Sequence, residues 1–356
     1  MNRRPTQADV ARMAGVSQAT VSLVLNGPSN ARARVGEQSR RRVLDAIRET
    51  GYVANPLAQG LARGRNRIVG VFTYESVFPS DGSNFYHPFL VGMEAEAVDV
   101  GVDLLLFTSA PVAAGKRRLT DSGWNRLDIA DGCILIGRVG NDRELHELRE
   151  RRYPVVYIGR RDPSDVDGHV PYVGADYAAA TAEITRRMLQ LGHRRIVFLG
   201  DLSAVPSARD RVLGYRRAMD EARHRPILLD GGAFTPAEAV QVIRDHGATA
   251  ALLGPNVDVV AVRAAAITAG VQVPADLSLA LLGEPENEPY PEGFAGFRIP
   301  RVEMGARALR LLASVIEGDD ALDPAQLLAC RVEVGHTLTS APSAPTSPTV
   351  PVKEPS

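Results

Sequence analysis

The first side chains with a chemical reading lie between residues 6 and 26. Thr6, Ser17, Gln18, Ala19, Thr20, Ser22 and Asn26 are short or uncharged, and all but the alanine can exchange hydrogen bonds. Glutamine can pair bidentately with adenine and alanine can touch a thymine methyl. Hydroxyl and amide groups suit phosphate oxygens, which fix register without reading sequence. Charge agrees with such a partner. Residues 1–64 hold ten arginines against four carboxylates, a surplus of +6. The whole chain carries −1, so the remainder carries −7. A basic head on an acidic body is the footprint expected when only the head meets a polyanion.

Bond-making chemistry finds no support. The chain has no Gly-x-Ser-x-Gly elbow and no phosphate-cradling glycine loop of the P-loop type. Cys133 and Cys330 are the two cysteines, far apart and without metal-like spacing, and the seven histidines form no His-x-x-x-His pair. Two such thiols imply ordinary buried residues in a reducing compartment. No apolar run is long enough for a signal peptide or a membrane span. We therefore expect a cytoplasmic protein that is not an enzyme and needs no cofactor. At 356 residues it should hold two or three units.

The elements that must position the polar set can be read directly. Thr6 can cap a first helix, with Asp9 as a short-armed capping box. Val10, Ala11, Met13 and Ala14 fall at helical spacing, and Gly15 can take the left-handed turn that other residues resist. Ser17 can cap a second helix, with Val21, Val24 and Leu25 inward and Gln18, Ala19, Ser22 and Asn26 outward. This is the helix-turn-helix layout, whose second helix enters the DNA major groove. A third helix is expected over about Glu37–Glu49. Val43, Leu44, Ala46 and Ile47 would close the small core, and Gly36 would stand at the cap.

The runs Thr6-Gln-Ala-Asp-Val-Ala, Ala14-Gly-Val-Ser and Ala19-Thr-Val-Ser-Leu-Val-Leu-Asn-Gly27 resemble the opening of the LacI/GalR family of bacterial transcription repressors. The resemblance implies that Arg32 and Arg34, in the loop after the second helix, and Asn55 hold the DNA backbone. It also implies that Leu57–Gly64 is a hinge helix whose leucine, here Leu61, wedges into the minor groove. A helix this short is marginal in water, and Gly60 weakens it further. An apolar wedge can unstack a base step and kink the duplex. The DNA-contacting set is thus Thr6, Ser17, Gln18, Ala19, Thr20, Ser22, Asn26, Arg32, Arg34, Asn55 and Leu61. Leu23 departs from the family, where many members carry arginine, and this removes one contact.

From Ile68 onward, short apolar runs alternate with helical patterns: Ile68–Phe72, 102–107, 132–136, 155–158, 172–176, 195–199, 250–253 and 277–282 read as strands. This argues for parallel sheets covered on both faces. Their number exceeds one such sheet. The fold class expected is α + α/β, an N-terminal helix-turn-helix headpiece with a two-lobed periplasmic-binding-protein-like α/β body, the latter implied by the resemblance. The divisions expected are a headpiece over 1–50, a hinge over 51–65, a body over 66–339 and a disordered tail over 340–356. Lobe 1 would take about 66–172 and 299–328, and lobe 2 about 173–298 and 329–339.

By resemblance, a small-molecule effector would lie between the lobes, contacted by Phe89, Arg160, Asp176, Arg211, Phe234 and Asn256, with Phe85 and Tyr86 nearby. Arg211, in Ser207-Ala-Arg-Asp-Arg-Val-Leu-Gly-Tyr215, would donate to it, and the planar guanidinium suits vicinal hydroxyls or a carboxylate. Pro255-Asn256 stands where the family usually has Asn-Asp, and Leu281-Leu-Gly-Glu284 where Gly-Phe-Asp-Asp is common. Either the ligand differs from a standard sugar or the pocket no longer answers to one. The function expected is a homodimeric, effector-controlled repressor on a pseudo-palindromic operator in double-stranded DNA, without a membrane partner. The competing readings are an exported solute-binding protein, which would need a signal peptide and has no use for the headpiece, and an enzyme, which lacks an activated nucleophile.

Overall fold

Residues 5–26, 35–53, 65–75, 85–108, 112–113, 116–119, 124–137, 141–161, 170–285, 290–319 and 321–342 are described by the structure, a computed structural model. Backbone packing divides the chain into two units, Met1–Ile68 with Asn125–Asp131, and Val69–Trp124 with Gly132–Ser356.

The first unit contains α1 (Gln7–Ala14), α2 (Gln18–Asn26) and α3 (Glu37–Thr50). Thr6 accepts the Asp9 N–H on Oγ1 at 3.4 Å, and Asp9 Oδ2 accepts the Thr6 N–H at 3.0 Å, so the capping box forms. Gly15 ends α1 at φ 61°, the left-handed region where a Cβ is costly. Ser17 Oγ accepts the Thr20 N–H at 3.1 Å and starts α2. Val10, Ala11, Ala14, Val21, Val43 and Ala46 form the core, with Val24, Leu25 and Ile47 at its edge. Two expectations fail here: Met13 is 54% exposed and Leu44 37%. Each lies roughly 100° round its helix from the centre of the buried face, too far to reach the small core. Arg32, Arg34, Asn55, Leu61 and the expected hinge helix lie outside the described residues, as does the side chain of Asn26.

The second unit carries two six-stranded sheets. The first is ordered β13-β7-β6-β5-β1-β2, from β1 (Ile68–Thr73), β2 (Asp103–Leu106), β5 (Gly132–Ile136), β6 (Val155–Ile158), β7 (Tyr172–Ala175) and β13 (Ala325–Leu328). The second is ordered β14-β12-β11-β10-β8-β9, from β8 (Ile196–Gly200), β9 (Ile227–Asp230), β10 (Ala250–Leu253), β11 (Ser278–Leu282), β12 (Ala295–Arg298) and β14 (Arg331–Glu333). A two-stranded ribbon, β3 (Val112–Ala113) with β4 (Lys116–Arg117), stands apart. The assigned pairings within the six-stranded sheets are parallel except β12 with β14. Helices connect the strands: α4 (His87–Val100), α5 (Asp142–Glu150), α6 (Tyr177–Gln190), α7 (Pro206–Glu221), α8 (Pro236–Asp245), α9 (Val259–Thr268) and α10 (Arg301–Glu317).

Alternation within strands explains the layers. In the second sheet Val197, Leu199, Ala251, Leu253, Leu279 and Leu281 face one core, while Ile196, Phe198, Ala250, Leu252, Ala280 and Leu282 face another. Both faces are therefore covered, which is why these strands read as unbroken apolar runs. One core, built on Val69, Val71, Ile134, Val156 and Val173, joins the first sheet to α4 and α10. Close helix contacts need glycine. A Cβ on Gly92 would overlap the Val302 carbonyl, and one on Gly305 the Phe89 carbonyl, so α4 and α10 meet backbone to backbone.

Three details differ from the sequence reading. Strand β7 pairs with β13 along its whole length and with β6 at Tyr172 and Val173, so the chain leaves the first sheet after Ala175 rather than at 172. Ala341 N–H donates to Leu191 O at 2.8 Å, so the chain stays docked past residue 340. Strands β9, β12, β13 and β14, the β3–β4 ribbon and helices α8 and α10 were not anticipated, because the strands are only two to four residues long and the two helices mix polar with apolar residues.

Candidate functional site

On the headpiece, Ser17, Gln18 and Ala19 are exposed at the start of α2, and Thr20 and Ser22 are half-buried. The cap geometry occupies part of this set. Thr6 Oγ1 donates to Asp9 Oδ2 at 2.7 Å, and the Ser17 and Thr20 hydroxyls lie 2.9 Å apart. These three side chains hold the helix ends together, while Gln18 and Ala19 are the outward groups of the first turn. Base edges could meet those two without any change at the caps.

In the second unit a cleft runs between the two sheets, enclosing about 1000 Å³ that includes its open mouth. Apolar walls with a few convergent polar groups are the composition of a small-molecule site. The ends of parallel strands supply its polar groups. Arg160 and Arg161 follow β6, Asn256 follows β10 and Glu284 follows β11, while Asp210 and Arg211 project from α7. Phe85 and Phe89 form an apolar wall, their rings 5.7 Å apart.

Arg211 is buried and rigidly held. Its Nε donates to Leu282 O and its Nη1 to Ser207 O, both at 2.8 Å, and its guanidinium carbon lies 4.0 Å from the Tyr177 ring centre. Gly283, at φ 107°, makes the turn that presents the Leu282 carbonyl; a Cβ there would lie 3.1 Å from Arg211 Nη2. Burial raises the Tyr177 hydroxyl pKa, although the Arg211 charge pulls it down, so the ring stays neutral beneath the cation.

Arg160 makes two parallel bonds to Asp210, Nε to Oδ2 at 2.9 Å and Nη2 to Oδ1 at 2.7 Å. This fork spans the cleft, from the strand ends of one sheet to the helix beside the other, and forked pairs are the stronger kind. Glu284 is buried, accepts the Ile299 N–H at 3.0 Å and faces Arg301 at 3.7 Å. Arg161 is also buried. Its guanidinium carbon lies over the Tyr157 ring, 3.7 Å from the ring centre, and its Nη2 donates to Gly137 O at 3.2 Å.

The cleft thus gathers Phe85, Phe89, Arg160, Arg211 and Asn256 from the expected set and leaves out three. Asp176 Oδ1 accepts the Ala179 N–H at 2.9 Å as the cap of α6. Phe234 packs into the core of its own lobe. Tyr86 turns its hydroxyl to Glu75. Missed were Arg161, Asp210 and Tyr177. Asp210 stood next to Arg211 and Arg161 next to Arg160, so adjacency was the one signal available. Burial pushes the Cys330 thiol up to about 12 and Cys133 higher still, which favours the protonated form of both. Among the described residues no cluster could hold a metal ion, and no helix is long and apolar enough to cross a membrane.

Comparison with known proteins agrees with both parts. Residues 6–55 match the family described as bacterial regulatory proteins, lacI family, and residues 185–338 match the periplasmic binding protein-like domain. The HTH-type transcriptional regulator CelR of Thermobifida fusca is 30% identical over 246 residues, 68% of this chain and 70% of that protein. Catabolite control protein A of Priestia megaterium is 28% identical over 279 residues, 76% and 80% of the two chains. Among solved structures, a CelR–cellobiose complex superposes with a TM-score of 0.60 at 25% identity, covering 94% of this chain and all of that one. The lac repressor dimer bound to operator and the anti-inducer ONPF superposes at 0.71 with 22% identity, covering 95% and all, which speaks to the fold alone. Capped helices over a small valine core, two parallel sheets facing a polar cleft, and a regulator of matching length and order lead to one conclusion: this chain belongs to the lacI family of bacterial regulatory proteins and is a DNA-binding regulator of transcription of the repressor type.

Proposed function

We propose that the protein represses transcription as a homodimer on a pseudo-palindromic operator, and that a small molecule in the cleft controls it. Two-fold symmetry places two copies of α2 on two half-sites. Gln18 and Ala19 then read base edges, and Thr6, Ser17, Thr20, Ser22, Asn26, Arg32, Arg34 and Asn55 hold the backbone. Leu61 wedges into the minor groove. In the body, Arg160, Arg211, Phe89 and Asn256 face the effector, whose binding changes lobe closure and thereby DNA affinity. Such coupling requires an element with two arrangements that both ligands bias. The observation that carries this reading is the cross-cleft fork of Arg160 with Asp210, which ties the two lobes through the walls of the ligand space.

Selection from random duplexes tests it. The full chain should enrich a two-fold symmetric site, and the chain lacking residues 1–64 should enrich none. Enrichment of an asymmetric site would end the dimer reading. Specific binding by the truncated chain would end the assignment of DNA contacts to the head.

A further inference from the structure

We propose that the cleft is built for an anionic polyol, a polyhydroxylated molecule with one carboxylate or phosphate, whose anion is taken by Arg161 and one of whose hydroxyls is taken by Asn256. The inference rests on the reading of this cleft as the effector site and names the ligand class.

The argument begins with charge. Four guanidinium groups stand in or beside the cleft, on Arg160, Arg161, Arg211 and Arg301, against three carboxylates, on Asp201, Asp210 and Glu284. Asp210 is taken by Arg160 and Glu284 by Arg301, while Asp201 Oδ1 accepts the Ser203 N–H in the second lobe. Arg211 is held by two carbonyls and the Tyr177 ring. The surplus positive charge falls on Arg161. Only 9% of this residue is exposed, yet among the described residues no carboxylate lies within ion-pair distance of it. Its partners are the Gly137 carbonyl and the face of Tyr157, and its buried Nε meets no acceptor. Two other acids of the first lobe, Glu75 and Glu144, hold the Tyr86 hydroxyl and the Leu119 N–H.

A buried cation with an unmet donor is expensive unless something completes it. A carbonyl and an aromatic face offset part of that cost. A ligand anion entering the space that Arg161 lines supplies the rest. The opposite wall carries the complementary vacancy in hydrogen bonding: Asn256 Oδ1 is buried and meets no donor. A hydroxyl satisfies that acceptor, and an apolar acid does not. The two groups follow β6 and β10, in different sheets, so one molecule meeting both bridges the lobes. The asparagine also fits the charge. A carboxylate at this position would repel an anion that the amide tolerates.

The test is calorimetric titration of the full-length protein with neutral sugars, their sugar acids, their phosphates, inorganic phosphate and hexanoate. At least one sugar acid or sugar phosphate should bind about tenfold or more tightly than its neutral parent, because a charge-assisted bond in a buried site is worth that much. Whether the acid or the phosphate leads identifies the source of the anion. Inorganic phosphate and hexanoate should bind far more weakly, since each meets only one of the two groups. Arg161→Gln should remove the preference, so that the anion binds no more tightly than its neutral parent. Asn256→Asp should weaken the anion about tenfold relative to its neutral parent through like charge; it keeps the test open if Arg161→Gln does not fold. A neutral sugar bound as tightly as its acid would overturn the anionic class, as would a panel in which no anionic polyol binds at millimolar concentration. The effector-site reading fails by a different sign: a ligand that binds this cleft and leaves operator affinity unchanged is not an effector.

Discussion

At the scale of single residues, position in the sequence and position in the site part company most clearly at the charged groups. Arg160 and Arg161 are neighbours, yet one reaches across the cleft to Asp210 and the other lies on Tyr157 in its own lobe. Asp176 looks like a ligand group and is spent on the Ala179 N–H. His193 is a further case of a polar residue with a structural task. It is buried, its Nδ1 lies 2.8 Å from Thr249 Oγ1, and its Nε2 lies 2.9 Å from Thr339 O. A neutral ring serves both, donating from Nε2 to the carbonyl and accepting at Nδ1 from the hydroxyl. Burial lowers its pKa below the usual 6.5. The unfolded chain therefore binds the proton more readily, so stability is full above about pH 6.5 and falls as pH drops towards the folded pKa. Urea melts from about pH 8 to about pH 5 should show that decline, and His193→Gln should flatten it. An unchanged acid limb in the variant would assign the decline to other groups.

Helices and strands follow from local rules more faithfully than single side chains do. Thr6 with Asp9, Ser17 with Thr20, and Gly15 in the left-handed region were readable because caps depend on residues within four positions of each other. The buried faces were readable less well. Helix α3 turns Val43 and Ala46 inward and leaves Leu44 at the surface. Val43→Ala should therefore cost the headpiece about 2 kcal/mol. Leu44→Lys, one residue away, should change it by less than about 0.5 kcal/mol. Amide hydrogen exchange of α1–α3 in the full chain reads both, and equal costs would mean that α3 is rotated from the register described. In the body, period-two alternation separates the two cores of the second sheet, which is visible once each strand is known to be covered on both sides.

For the molecule as a whole, the feature on which the proposed control would act is the joint between the two sheets of the body. The chain passes between them after β7, between β12 and α10, and between β13 and β14. Three crossings allow closure without separation, the arrangement of a hinge. Under the lobe closure proposed above, the fork between Arg160 and Asp210 would favour the closed form. Its side chains are 21% and 13% exposed, so solvent screens it only in part. Asp210→Asn should cost the closed form about 1–2 kcal/mol. That is a shift of about five- to thirtyfold towards open molecules. Small-angle scattering should show a larger radius of gyration without ligand and recovery when the cleft is filled. Identical scattering by wild type and variant would leave the pair without a role in closure.

The sequence by itself determined the units that depend on near neighbours: the capped helices of the head, the alternation of strands and helices, the +6 charge of residues 1–64 and the family they announce. These are set by capping, side-chain periodicity and composition, which act over a few residues. Only the tertiary structure decided which polar groups share the cleft. It excluded Asp176 and Phe234, admitted Arg161, Asp210 and Tyr177, and gave Arg160 a partner 50 positions away. The physical reason is that the cleft is assembled from the ends of strands in two sheets and the start of a helix. A side chain's role there is fixed by which distant carbonyl, ring or carboxylate the fold brings within hydrogen-bond reach.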